Sequence, residues 1–306
     1  MASCLRPEPW IARAQVGLGT LVEVALPARF ASDACFSAAF AAIAQVHRTM
    51  SAHDQTSDLA RIARDAHLRT VVVDAETYSV LALAKDLCRE SDGAFDITIA
   101  PLLARRGLLP LSATGKDAQC GRMDALRLGP GFAVRATDPI SLDLGGIAKG
   151  FAVDRAVDAL RAAGALTGLV NAGGDLRAFG ADAWMPVHVR HPGSAAHALQ
   201  IFDIRDAAVA TSADYFRTAQ GALVEPRAQS VHPFSGSVTV VAPTCVLADA
   251  LTKIVALRPE KSAALLARYG AHAFTIDLHR PQAGVQVATT FVGTTANLRL
   301  TLAVAD

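Results

Sequence analysis

The sequence predicts an α+β fold of mixed antiparallel sheets with flanking helices, and two observations carry that expectation. Helical and extended patterns mix along the chain without the strict strand–helix–strand alternation of a parallel sheet. The second half is dense in short β-type segments, and no internal repeat organises them. Hydrophobic residues form 52% of the 306 and charged residues 19%, enough for a sizeable core. That length allows a single domain over residues 1–306 or two packed lobes divided near 105–130.

The elements follow in order. TLVEVAL (Thr20–Leu26) reads as a strand ended by Pro27, and Ala31 to about Thr49 as a helix. Ser57–Ala66 reads as a short helix, Thr70–Val73 as a strand, and Glu76–Glu90 as a helix stopped by Ser-Asp-Gly. Residues Arg105–Gly121 are loop-like. Strands are expected at Phe132–Val134 and Ser141–Asp143, then a helix over Ile147–Ala163. Further strands are expected at Gly168–Val170, Pro186–Arg190, Ala198–Ile204 and Ala208–Thr211. Helices over Val246–Leu257 and Glu260–Tyr269 precede a β-rich end, Thr289–Leu302.

Charge and cysteine usage exclude several classes. A net charge of +1 gives no general attraction to nucleic acid or acidic membranes. No run reaches the roughly 18 apolar residues of a membrane span. Five scattered cysteines without C-x-x-C are neither a disulfide framework nor a zinc site. With no signal-type N-terminus, the expected location is reducing and cytoplasmic.

Four segments carry chemistry. In DLGGIAKGFAVD (Asp143–Asp154) a short apolar run delivers Asp143, two glycines allow close backbone approach, and a helix starts beside Lys149. A helix start offers free N–H donors, and Lys149 adds a positive charge suited to a phosphate. Alone, such a turn is modest evidence, and it fits neither G-x-G-x-x-G nor the P-loop. NAGGDLRAFG (Asn171–Gly180) gives a tight bend rimmed by Asn171 and Asp175, as suited to a hairpin as to a ligand. In SDGAFDITIAPLL (Ser91–Leu103), Asp96 stands among apolar neighbours, where a carboxylate needs a partner. VAPTCVLADALTKIVAL (Val241–Leu257) puts Asp249 in an apolar helix with Thr252 and Lys253 at i+3 and i+4. Carboxylate plus hydroxyl suits a hard cation such as Mg²⁺; Asp249 with Lys253 equally suits an ordinary intrahelical ion pair.

These segments in this order, with LGTLVEVAL (Leu18–Leu26) and MSAHDQTSDLARI (Met50–Ile62), resemble the ApbE family of FAD:protein FMN transferases over about Leu18–Leu302. The resemblance implies a mixed α+β protein that binds FAD with Mg²⁺. It implies attack on the FAD diphosphate by a Ser or Thr hydroxyl of a target flavoprotein, leaving FMN esterified there and releasing AMP. By the same resemblance Leu18, His53, Ala94, Phe95, Asp96, Asp143, Lys149 and Val224 fall at FAD-contact positions. Asp249 falls at a metal-ligand position, and Gly146 at one offering a backbone carbonyl.

The sequence departs from the family's pattern in three places. The family's helix resembles D-A-L-A-T, with a metal-binding Thr at i+4 from the Asp; here i+4 is Lys253 and the threonine is Thr252. Either Thr252 takes over the ligand role, or the Lys253 ammonium occupies the cation position and pairs with Asp249 and the flavin phosphates. Asp249 and Lys253 are therefore the catalytic candidates, and Gly146, Asp249 and Thr252 the metal candidates. The family's H-x-I-D-P-R-T-G is matched best by ALVEPRAQ (Ala222–Gln229), with Ala222 at the usual His, and His232 leaves too short a spacer to replace it. TSADY (Thr211–Tyr215) has Ala213 where the family generally has Gly. His47, His188 and His191 form no ligand pattern. The alternative activities are FAD binding without transfer and FAD pyrophosphatase action with water as acceptor.

Overall fold

The computed structural model describes residues 8–110, 117–180, 184–190, 198–213, 223–231, 236–277, 287–290 and 297–304. Its first half contains β1 (Trp10–Gly17), β2 (Thr20–Pro27), α1 (Asp33–Met50), α2 (Asp58–Asp65), β3 (Val71–Val72), α3 (Ala75–Glu90) and α4 (Ala100–Arg105). The middle holds β4 (Leu126–Gly129), β5 (Ala133–Ala136), α5 (Ala148–Ala162), β6 (Gly168–Ala172), β7 (Asp175–Phe179), β8 (Met185–Arg190), β9 (Ala198–Ile204) and β10 (Ala207–Ala213). The rest comprises β11 (Val224–Glu225), β12 (Ser230–Val231), β13 (Gly236–Ala242), α6 (Cys245–Leu257), α7 (Pro259–Arg268), β14 (His272–Asp277), β15 (Val287–Thr290) and β16 (Leu298–Val304).

Local signals start the helices. Ser32 and Ser57 cap α1 and α2 by accepting from Cys35 N–H at 3.2 Å and Ala60 N–H at 3.1 Å. Asp74 caps α3 by accepting from Glu76 N–H at 2.8 Å. In α1 the buried positions Phe36, Ala39, Ile43, Val46 and Met50 recur every three or four residues, the stripe of a helix laid on a core.

Eight strands pair in the order β1-β2-β6-β7-β10-β13-β14-β15, every pairing antiparallel. Two three-stranded sheets, β16-β9-β8 and β3-β5-β4, accompany it. All of β13 is buried, because the large sheet is covered on both faces. Val238 and Val240 join the main core with α1, α5 and α6, while Val241 joins Phe202, Ile204 and Phe274 on the other side. Phe202 and Phe274 stack at 4.7 Å there. The main core runs from Val22 to Ala273 and includes Met123 and Leu126, so it draws on both sides of the 105–130 segment.

The expected α+β architecture is present, with one element corrected. Ser141–Asp143 forms no strand; it is irregular chain, joined to the Asp96 segment where Asp143 N–H donates to the Ile97 carbonyl at 2.8 Å. No described helix is long and apolar enough to cross a membrane.

Candidate active site

The site grows from the meeting of α5 and α6. Gly150, in the first turn of α5, packs so closely on α6 that a β-carbon would lie 2.2 Å from the Cys245 carbonyl oxygen and 2.8 Å from Asp249 Cβ. That approach lets the Gly150 N–H donate to Asp249 Oδ2 at 3.1 Å. Asp249 is fully buried, and its other oxygen, Oδ1, accepts from the Lys253 ammonium one turn on. Burial works against its charge, but Lys253 and Lys149 outweigh it and hold the carboxyl below its ordinary range.

Lys149 stands in the same first turn of α5 and pairs with Asp175 at the start of β7. Burial disfavours its charge too, yet Asp249 and Asp175 together keep its pKa above that of an ordinary lysine. Asp175 is pushed up by its burial and by repulsion from Asp249. The β6–β7 hairpin aims it. Gly173 turns at φ +66°, where a β-carbon would lie 2.4 Å from Thr20 Oγ1, and Asn171 Oδ1 accepts from Gly174 N–H at 2.9 Å. The Gly-Gly bend is thus a hairpin turn that delivers a site carboxylate.

Behind this pair, Asp154 on α5 fixes α6. Its carboxylate accepts from the Cys245 and Val246 N–H groups at 2.9 and 2.8 Å, the free donors of the first turn of α6, and from Arg177 at 2.6 Å. Thr252 is fully buried; its hydroxyl donates to the Asp249 carbonyl at 2.7 Å and shares a 2.7 Å hydrogen bond with Ser212 on β10.

The Lys253 stem and the Phe95 ring both lie close to Gly146. A β-carbon on Gly146 would lie 3.4 Å from Lys253 Cε and 3.6 Å from Phe95 Cε2. Asp143, two residues before the Gly145–Gly146 turn, accepts from Gly145 N–H at 3.2 Å. Burial raises its pKa against the opposing influence of that N–H, of His53 and of Lys253. Phe95, Gly146, Lys149, Asp143, Asp249 and Lys253 therefore form one neighbourhood.

Next to it opens a cleft of ≈ 490 Å³ lined by Cys88, Gly93, Asp96, Met123 and Arg227 among others. Asp96 is buried and takes its partners from Thr98, at 2.7 Å from the N–H and 2.6 Å from the hydroxyl. Burial raises its pKa against those bonds. Ala94 is buried in the same segment. Val224 is buried on β11, beside Glu225, whose two carboxylate oxygens accept from the two terminal guanidinium nitrogens of Arg258 at 2.7 and 2.8 Å. Leu18 occupies the tight β1–β2 turn at φ +54°, and His53 is exposed, felt by Asp143 through its charge. His188 lies on β8; Ala222, His191 and His232 fall outside the described residues. The sequence marks Asp175 only as a turn residue and carries no signal for Gly150, Asp154 and Ser212 as parts of the site.

Comparison with known proteins decides the lineage. The model of the ApbE family matches residues 18–275. The chain belongs to the ApbE family. It is 30% identical over 295 residues to a curated FAD:protein FMN transferase of Treponema pallidum, covering 84% of this chain and 81% of that protein. The corresponding protein of Escherichia coli K12 is 25% identical, with 74% and 72% covered. Among solved structures, the flavin transferase ApbE from Vibrio cholerae superposes with a TM-score of 0.77 at 21% identity over 92% of this chain and 97% of that one. The Pseudomonas stutzeri flavinyl transferase ApbE in its apo form gives 0.76 at 23% identity over 93% and 96%. These ApbE structures share the mixed sheet-and-helix fold described above.

A magnesium ion at Asp249, as the family resemblance implies, does not fit the donor set present. The Lys253 ammonium is bound to Asp249 Oδ1, and a second cation beside it would meet its charge; Oδ2 accepts from Gly150 N–H, and the Thr252 hydroxyl already bonds Ser212 and the Asp249 carbonyl. Among the described residues no three His, Cys, Asp or Glu side chains gather into a metal set.

Proposed function

We propose that this ApbE-family protein is an FAD:protein FMN transferase acting on a Ser or Thr hydroxyl of a target flavoprotein. One observation carries the reading: two lysines, Lys149 and Lys253, are held by the buried carboxylates Asp175 and Asp249 around the start of α5 and the Gly145–Gly146 turn. Phosphoryl transfer asks for positioning and charge neutralisation more than for covalent chemistry, and a helix start flanked by fixed cations supplies both. The curated relatives bearing the same activity name support the assignment.

In this proposal the FAD diphosphate lies against the first turn of α5, with Lys149 and Lys253 beside its oxygens. The acceptor hydroxyl oxygen attacks the FMN-side phosphorus and releases its proton to solvent, the bond from that phosphorus to the bridging oxygen breaks, and AMP departs with that oxygen. Fixed positive charge stabilises the negative charge that builds on the bridging and equatorial oxygens. Phe95 and the Asp96 cleft hold further parts of the dinucleotide. The Lys253 ammonium, paired with Asp249, supplies the positive charge at that carboxylate in this reading.

The test is product analysis. Incubation with FAD and a flavoprotein domain carrying an S/T-G-A-T-type acceptor is expected to release AMP only when the acceptor hydroxyl is present. AMP and free FMN in equal amounts without acceptor would identify a pyrophosphatase. Retained FAD with no AMP in either case would identify a binding protein.

A further inference from the structure

We infer that the Lys253 ammonium serves as a built-in cation at Asp249, so that this protein engages its diphosphate substrate without a resident divalent ion. The inference rests on the transferase reading for the identity of that substrate. Three features of the site converge on it.

Asp249 is fully buried, and a buried carboxylate needs its charge matched. The match is covalently tethered: Lys253 lies one helical turn away, touches Oδ1, and also donates to the Asp249 carbonyl at 3.1 Å. The stem lies against the Gly145–Gly146 turn: a β-carbon on Gly146 would stand 3.4 Å from Lys253 Cε and 3.7 Å from its Cδ, with the Phe95 ring at 3.6 Å. The neighbouring oxygens already have protein partners, Asp249 Oδ2 the Gly150 N–H and the Thr252 hydroxyl Ser212 and a backbone carbonyl.

The Lys253 side chain is 22% exposed while Asp249 is wholly buried, so Lys253 is the member of the pair that reaches the surface. It is placed to meet a phosphate oxygen there while keeping its bond to Asp249. A tethered charge requires no capture of an ion from solution, and it contributes one positive charge where a divalent ion contributes two. The tethered arrangement thus favours binding in metal-poor conditions at the cost of weaker stabilisation of the transition state.

The experiment uses the full-length protein in two readouts. Mn²⁺ titration followed by electron paramagnetic resonance, on protein without FAD, reads metal binding directly. FAD binding by fluorescence quenching, in EDTA and in excess Mg²⁺, reads the consequence. The wild type is expected to show no saturable Mn²⁺ site below millimolar metal and the same FAD affinity in both buffers. Lys253→Thr is expected to gain a Mn²⁺ site. Lys253→Met is expected to lose about tenfold in FAD affinity in EDTA, the worth of one charge-assisted contact of about 1.4 kcal/mol. One equivalent of Mn²⁺ bound by the wild type, or FAD binding that requires Mg²⁺, overturns the inference and leaves the transferase reading standing. Absence of FAD binding in every buffer would sink the transferase reading, and the Mn²⁺ titration would still decide the role of Lys253.

Discussion

Gly150 and Cys245 approach so closely that the hydrogen on Gly150 Cα has no room to become a methyl group. A β-carbon there would sit 2.2 Å from the Cys245 carbonyl oxygen, a backbone atom held in the first turn of α6. The contact sets the distance between the helices bearing Lys149 and Asp249. Gly150→Ala is expected to force α5 and α6 apart and to destabilise the fold by about 1–3 kcal/mol, the usual range for overpacking. Urea titration would show this as a lower midpoint, and FAD affinity should fall with it because the Gly150 N–H leaves Asp249.

Asp154 gives a second prediction. Its carboxylate serves two N–H groups of α6 and Arg177, all within 2.9 Å. Asp154→Ala would leave the largely buried Arg177 without its charge partner and two N–H groups of α6 without an acceptor, a loss of about 2–4 kcal/mol. Combining it with Arg177→Met should cost less than the sum of the two single changes, since the orphaned charge is then gone. Additive losses in a double-mutant cycle would contradict the pairing.

Asp143 links stability to pH with the opposite sign from a typical surface carboxylate. Burial raises its folded pKa above the unfolded value, so the folded state binds the proton more tightly. Its contribution is fully present below the ordinary carboxylate pKa and is lost as pH rises through the raised folded value. Asp143→Asn is therefore expected to be more stable than wild type at neutral pH, with the gap closing as pH falls into the carboxylate range. Denaturation midpoints from pH 3 to about pH 7 check this. Weaker FAD binding in the same variant would mark a residue kept at a cost in stability.

Cys88 lines the cleft beside Asp96, and burial pushes its thiol up to about 12. Its thiolate is scarce at neutral pH, and only part of that scarcity is offset by greater nucleophilicity. Alkylation of Cys88 by iodoacetamide in the native protein is expected to run roughly 50-fold slower than in the urea-unfolded chain at pH 8. Peptide mass spectrometry reads the rate, and equal rates would place the thiol in open solvent.

The helices that carry the site were legible in the sequence because local signals mark them. Periodic apolar positions and the Gly-Gly turn place α5 and α6 within a residue or two of their observed limits. The strand β1 escaped notice: seven of its eight positions are exposed and its sequence, WIARAQVG, lacks a buried face. Ser141–Asp143 misled in the other direction, since an apolar extended segment looks like a strand whether or not a neighbour pairs with it. The roles of Asp175 and Asp154 were hidden for a different reason. Their partners Lys149, Cys245 and Arg177 are 26, 91 and 23 residues away, and only the packing of α5 against α6 and β7 brings them together.

The most direct test of the transferase reading is the intact mass of an acceptor domain after incubation with FAD and this protein in EDTA. The expected result is a gain equal to one FMN phosphoester on the acceptor Ser or Thr, abolished when that residue is changed to Ala. An unchanged acceptor mass, both in EDTA and with added Mg²⁺, would contradict it.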